Sequence, residues 1–146
     1  GDTEEYSWDN SARIRYDGNH KVEGNGSYQF YLQKGWSRWV LTMKNNQSID
    51  ISGYKQIKFA VSSVSAAKWD DFKVIIQDRD DNYMVAKLAD LGFKPDGKFH
   101  WLILEIEGIK KAGVDVSNLG KIIQIAWGGG VGANHSFHLD GLQLLK

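Results

Sequence analysis

The sequence predicts an all-β chain, a two-sheet antiparallel β-sandwich of the jelly-roll kind. Three observations carry that prediction. About nine segments alternate apolar and polar side chains with a period of two, the pattern of half-buried strands. Turn-forming Gly, Asn and Asp cluster between them, with 16 Gly and one Pro in 146 residues. Only EGIKKAGVDVSNLG (107–120) has room for a helical turn. The length predicts a single domain over residues 1–146, large enough for a core without metal or disulfide staples.

Taken in order, Gly1 to Asn10 is polar and acidic apart from Tyr6 and Trp8, and is not expected as a strand. ARIRY (12–16) is a short strand, and DGNHKVEGNG a long turn-rich loop. SYQFYLQ (27–33) places Tyr28, Phe30 and Leu32 on one face and Gln29, Tyr31 and Gln33 on the other. WSRWVLTM (36–43) and KQIKFAVSS (55–63) follow as strands, the latter setting Ile57, Phe59 and Val61 against Lys58, Ala60 and Ser62. LADLGFKPDGK is a loop with Pro95 and a turn-forming Asp96-Gly97. FHWLILEI (99–106) sets Leu102, Leu104 and Ile106 opposite Trp101, Ile103 and Glu105. KIIQIAW and SFHLDGLQLL are the last strands, separated by the glycine-rich GGGVGANH.

The hairpin FKVIIQDRDDNYMVAKL (72–88) organises the rest. Phe72, Val74 and Ile76 face one way, with Met84, Ala86 and Leu88 as the apolar set of its second strand. Lys73, Ile75, Gln77, Tyr83, Val85 and Lys87 form a mixed face, predicted to be the working surface. Asp80, Asp81 and Asn82 supply the turn. Asp78 is an awkward inward carboxylate unless the strand ends there.

Composition narrows the function classes. Eighteen Lys+Arg balance 18 Asp+Glu, which removes the long-range field expected of a nucleic-acid or anionic-membrane binder. No apolar run is long enough to span a bilayer. Cysteine is absent, so disulfides, thiolate metal sites and cysteine nucleophiles drop out. The chain opens GDTEEY without a charged-then-apolar leader, as expected of a processed protein or a module cut from a longer one. Six Trp, six Tyr and six Phe are many for this length.

Three patterns carry a family resemblance: GNGSYQFYL (24–32), IDISGYKQIKFAVSS (49–63), and KFHWLILEI…VDVSNLGKIIQIAW…SFHLDGLQLL toward the C-terminus. Together they resemble carbohydrate-binding modules of the galactose-binding-like jelly-roll type, particularly family 11, over the chain from about residue 12 onward. They also resemble the related CIA30-type domain of assembly factors. The resemblance implies a secreted, bacterial, non-catalytic module that binds a polysaccharide or oligosaccharide, such as a β-glucan or a related plant or algal glycan, and belongs to a larger multi-domain enzyme. It implies a protein-interaction sandwich as the alternative.

The residues fit such a ligand. A pyranose has a nearly apolar C–H face and a hydroxyl rim; aromatic rings suit the first, amides and charged groups the second. Ring stacking contributes roughly 1–3 kcal/mol by analogy with base stacking. Same-face residues on a strand are about 6.6 Å apart, so neighbouring strands can follow successive sugars. Tyr31, Trp36, Tyr83 and Trp101 are the candidate platforms, with Trp69 overhanging from a loop and Trp127 either packed or standing at a rim. Trp39 shares a face with Leu41 and Met43 and divides evenly between core and surface. Gln77, Arg79, Arg38 and Lys73 are candidate hydroxyl partners, Lys87 more ordinarily a solvated lysine. His135 and His138 are lone histidines.

The resemblance also implies a structural calcium ion between an early loop and the last strand. The ion needs six to eight oxygens, and Asp17, Glu23 and Asp140 are its candidate ligands. An enzyme reading has little support. Glu105 and Glu107, two apart, are expected to share a strand face as in sandwich-fold glycosidases, but Gly108 cuts the motif short. No nucleophile-elbow, phosphate-loop, zinc-protease or dinucleotide motif is present.

Overall fold

The computed structural model describes residues 3–8, 12–17, 27–32, 37–43, 47–64, 72–127 and 135–146, with side chains for 38, 40–41, 47–64, 72–121, 123–126 and 136–146. Ten strands run through these residues: β1 Thr3–Trp8, β2 Ala12–Asp17, β3 Ser27–Leu32, β4 Ser37–Met43, β5 Gln56–Ser62, β6 Phe72–Asp78, β7 Tyr83–Lys87, β8 His100–Glu105, β9 Leu119–Trp127 and β10 His135–Leu145. They form two five-stranded sheets, in the orders β1-β4-β9-β6-β7 and β2-β3-β10-β5-β8. Every pairing is antiparallel. The expected sandwich is present.

The period-two pattern explains the core. Phe72, Val74 and Ile76 of β6, Ile123 and Ile125 of β9, Ile57, Phe59 and Val61 of β5, Leu102 and Leu104 of β8, and Phe137 and Leu139 of β10 are buried in one cluster. The sheets meet where Phe72 packs edge-on against Phe137, ring centroids 4.5 Å apart at 70°. Phe93, just after a short 3-10 helix (Ala89–Leu91) that opens the segment expected as a loop, adds a third ring 6.2 Å from Phe137. Each such side chain stabilises the sandwich by about 1.5–3 kcal/mol relative to exposure.

Two expectations need correction. Thr3–Trp8, passed over as polar, is an edge strand in register with β4 from Thr3↔Met43 to Trp8↔Arg38. Its polar residues alternate with Tyr6 and Trp8, and an edge strand tolerates polarity that an interior strand does not. Glu105 and Glu107 do not share a strand face, because helix α1 (Ile106–Lys111) begins between them. Glu105 accepts a hydrogen bond from Gln56 Nε2 (2.8 Å), whereas Glu107 pairs with Lys110 at 3.2 Å on the helix. The helical turn expected in that segment is present; it starts earlier because Ile106 and Ile109, one turn apart, are both buried.

Asp78 ends β6 on the inward side and is only 2 % exposed. Its carboxylate accepts N–H from Asp80 (2.9 Å), Asn82 (2.9 Å) and Asp115 (2.8 Å), and the Asn82 side-chain amide (3.1 Å). Burial acts to raise its pKa, but the backbone bond from Asp115, the Asn82 amide and the N–H groups of Asn82 and Asp80 outweigh it. The net shift is downward. Asp81 supplies the left-handed residue of the turn, at φ 63°.

Asp78→Ala should lower unfolding free energy by about 2 kcal/mol, because several part-buried donors lose their acceptor together. A group with a depressed folded pKa stabilises fully above its unfolded value, and that stabilisation fades as pH falls through the folded value. Urea midpoints of the wild type and Asp78→Asn should therefore differ at neutral pH and converge in acid.

Candidate functional site

The outward face of the first sheet follows from register. One row runs Arg38↔Ala126↔Lys73↔Lys87, across β4, β9, β6 and β7. The next runs Val40↔Gln124↔Ile75↔Val85. A third joins Lys121, Gln77 and Tyr83. Between Ile75 and Gln77 the β6–β9 register shifts, so that Lys121 stands opposite Gln77 where unbroken alternation would put Ile122.

Polar side chains cross these strands as one ladder. Arg38 Nη1 donates to Gln124 Oε1 (2.9 Å), Gln124 Nε2 to Gln77 Oε1 (3.0 Å), and Gln77 Nε2 to Asp81 Oδ1 at the hairpin tip (3.2 Å). Lys121 Nζ reaches the same Gln77 oxygen at 3.5 Å. The middle of the face is closed to water: Val40 and Gln124 are 0 % exposed, Ala126 5 % and Ile75 7 %, all outside the main core cluster. The margins are open. Arg38, Lys73, Gln77 and Lys121 are half-buried, Lys87 is exposed, and Tyr83 is 60 % exposed. Burial lowers the pKa of Lys121, Asp81 pulls it back, and Arg38 and Arg79 lower it again, for a net downward shift.

This arrangement unites four predicted residues, Arg38, Lys73, Gln77 and Tyr83. Arg79 is at the rim, its Nε donating to Ser48 Oγ and its backbone N–H to Asn118 O (3.1 Å). Tyr31 and Trp101 do not belong with them. Both are on strands of the second sheet, β3 and β8, so the expectation of a single surface holding all four platforms is corrected. Trp101, 43 % exposed beside Ile103, has Lys58 Nζ 4.6 Å from its ring centroid. Trp127 is opposite Phe72 and Ser37 in register; its side chain and that of Tyr31 are outside the described residues, as are Trp36 and Trp69 altogether.

Gln124 and Lys121 went unnoticed in the sequence. The signal for Gln124 was a lone amide inside IIQIA; Lys121 needed the bulge, which no pattern announces.

Of the calcium candidates, Glu23 lies outside the described residues. Asp17 closes β2 opposite Ser27, and Asp140 is one step beyond the Leu139↔Tyr28 pair, so backbone register brings both positions level with Ser27, where β2 ends and β3 begins in the middle of β10. Asp140 Oδ1 accepts the Gly141 N–H (2.8 Å), where a bulge at Asp140/Gln143 and φ 64° at Gly141 bend β10. Among the described residues no group of three or more His, Cys, Asp or Glu is placed to hold a metal. His138 lines a shallow pocket of about 190 Å³ with Ser62, Ser63, Val64, Gly97 and Ser136 on the second sheet.

With this geometry, known structures can be compared. Its fold is that of carbohydrate-binding modules. A family 30 module matches with TM-score 0.72 and 13% identity, over 90% of this chain and 73% of that one. The family 30 module of a cellulosomal cellulase of Clostridium thermocellum matches with TM-score 0.72 and 11% identity, over 99% and 91%. A family 11 module of Clostridium thermocellum, in complex with a β-1,3-1,4-mixed-linked tetrasaccharide, matches with TM-score 0.66 and 13% identity, over 99% and 88%. No family model and no curated protein matches the sequence.

Gln124→Leu keeps the volume but removes one partner each from Arg38 and Gln77. It should cost about 1–2 kcal/mol in urea denaturation.

Proposed function

We propose that the chain is a non-catalytic carbohydrate-binding module that takes a glycan along the open margin of the first sheet, over β6 and β7. The observation that carries this reading is the ladder Arg38–Gln124–Gln77–Asp81 beside the open ring of Tyr83. Gln124 has no contact with water and acts as a positioning residue. It fixes the Gln77 amide, so hydroxyl groups would meet a partner already oriented. Tyr83 offers a flat face for a sugar ring one strand away, at about 4.8 Å. The shared fold of family 30 and family 11 modules supports the reading, and the tetrasaccharide of the family 11 structure names a reasonable first ligand class.

In this reading the domain is secreted by a bacterium and holds a polysaccharide, of β-glucan or related type, against an attached glycoside hydrolase. A structural calcium ion at Asp17, Glu23 and Asp140 is proposed as well, supported by the register that brings Asp17 and Asp140 level on either side of Ser27. Such an ion would tie Asp17 and Glu23 to β10 and supply no chemistry. If it binds, calcium should raise Tm by several degrees over EDTA, and Asp140→Asn should abolish the difference.

Affinity electrophoresis against a polysaccharide panel tests the main reading. Tyr83→Ala should weaken retention by about tenfold, within the roughly 1–3 kcal/mol of a stacking contact. Trp101→Ala, on the other sheet, should leave it unchanged. Loss of retention in Trp101→Ala alone would transfer the site to the second sheet, and retention by no glycan would refute the function.

A further inference from the structure

The outward face of the first sheet collects cations. Arg38, Lys73 and Lys87 share one register row, and Lys121 stands beside Gln77 with Arg79 at the rim. Lys73 and Lys87 are directly opposite on neighbouring strands, an arrangement that like-charge repulsion disfavours. No carboxylate among the described residues pairs with either of them. Among the described side chains Asp81 is an acidic one that meets this face, bonded to Gln77, and Glu4 of β1 takes a register position on the same face opposite Thr42. The chain as a whole is neutral, 18 basic against 18 acidic, so this gathering is local rather than a reflection of composition.

We infer that the ligand of this face is an anionic glycan, one bearing carboxylate or sulfate groups. The inference rests on the carbohydrate-binding reading above and narrows it. A neutral glucan needs ring faces and hydroxyl partners, which Tyr83 and Gln77 supply, and gives Lys73 facing Lys87 nothing to offset their repulsion. An anionic group seated between the two ammonium groups would neutralise that repulsion and form charge-assisted hydrogen bonds. Lys121 agrees: partial burial among Arg38 and Arg79 disfavours its charged form, and a bound anion would reverse that. Uronate and sulfate-ester glycans share this chemistry. The exposed phenol and the oriented amide beside the cations suit the ring face and hydroxyl rim of a sugar chain.

The test is calorimetric titration of the intact chain with four ligands: a neutral mixed-linked glucan oligosaccharide, an oligogalacturonate, a sulfated galactan oligosaccharide, and an oligothymidylate. At low salt, one or both anionic glycans should bind at least about tenfold tighter than the neutral one, an advantage that screening at about 0.5 M NaCl largely removes. Lys73→Gln and Lys87→Gln should each weaken the anionic glycan about three- to tenfold, and Lys87→Gln should leave the neutral ligand within twofold. Which anionic arm responds identifies carboxylate or sulfate. Neutral binding equal to or tighter than both anionic arms, insensitive to salt, would overturn the inference while sustaining carbohydrate binding. Binding of no glycan would overturn both. Oligothymidylate binding as tight as the best glycan would overturn the inference in favour of an unselective polyanion surface.

Discussion

The outward face of the first sheet depends on one buried carboxylate. Asp78 stands where the inward row of β6 would call for another aliphatic residue, and an unpaired charge there would be costly. Backbone N–H groups from its own turn and from Asp115 satisfy it instead. The same bonds tie the hairpin tip to the segment that starts β9. Arg79 N–H then bonds Asn118 O, and Leu119 comes level with Asp78. A local solution to a desolvation problem thereby sets a long-range register.

That register decides which chemistry reaches the surface. Side chains in a strand alternate faces, so a shift of one residue exchanges an entire row. The shift between β6 and β9 after Ile75 is such an exchange: Lys121 replaces Ile122 opposite Gln77, and a second shift after Gln77 brings Leu119 opposite Asp78. Above it, Gln124 keeps its place opposite Ile75 and can bridge Arg38 and Gln77. The bulge converts a row that would have ended apolar into one ending in a cation and an amide.

Much of the fold was legible in the sequence because burial and period two are local. Phe72, Val74 and Ile76 against Lys73 and Gln77, or Leu102 and Leu104 against Trp101 and Ile103, can be assigned to faces from five residues each. The Asp80–Asn82 turn was equally plain. Sheet partnership is not local, and there the reading failed. Alternation says that Trp101 and Tyr83 both oppose apolar sets, not that β8 and β7 border different sheets. The same blindness hid β1, whose place comes from pairing with β4, and α1, where burial of Ile106 and Ile109 at helical spacing overrode the strand pattern.

The two exposed rings that topology separates also differ in what surrounds them. Each is on an edge strand, where a side chain lacks a neighbour on one side and leans into water. Trp101 has a lysine over its ring and Ile103 two residues on, and the outward neighbours Gln56 and Glu105 are already bonded to each other. Tyr83 borders Gln77, whose amide is held by Gln124 behind and Asp81 beside it. A ring at an edge adapts cheaply to a ligand, whereas an amide fixed by a buried partner loses little freedom on binding. Among the described side chains, only the first sheet places those two kinds of contact side by side. That pairing, rather than the number of exposed aromatics, is the physical reason for the proposal that recognition belongs to the first sheet.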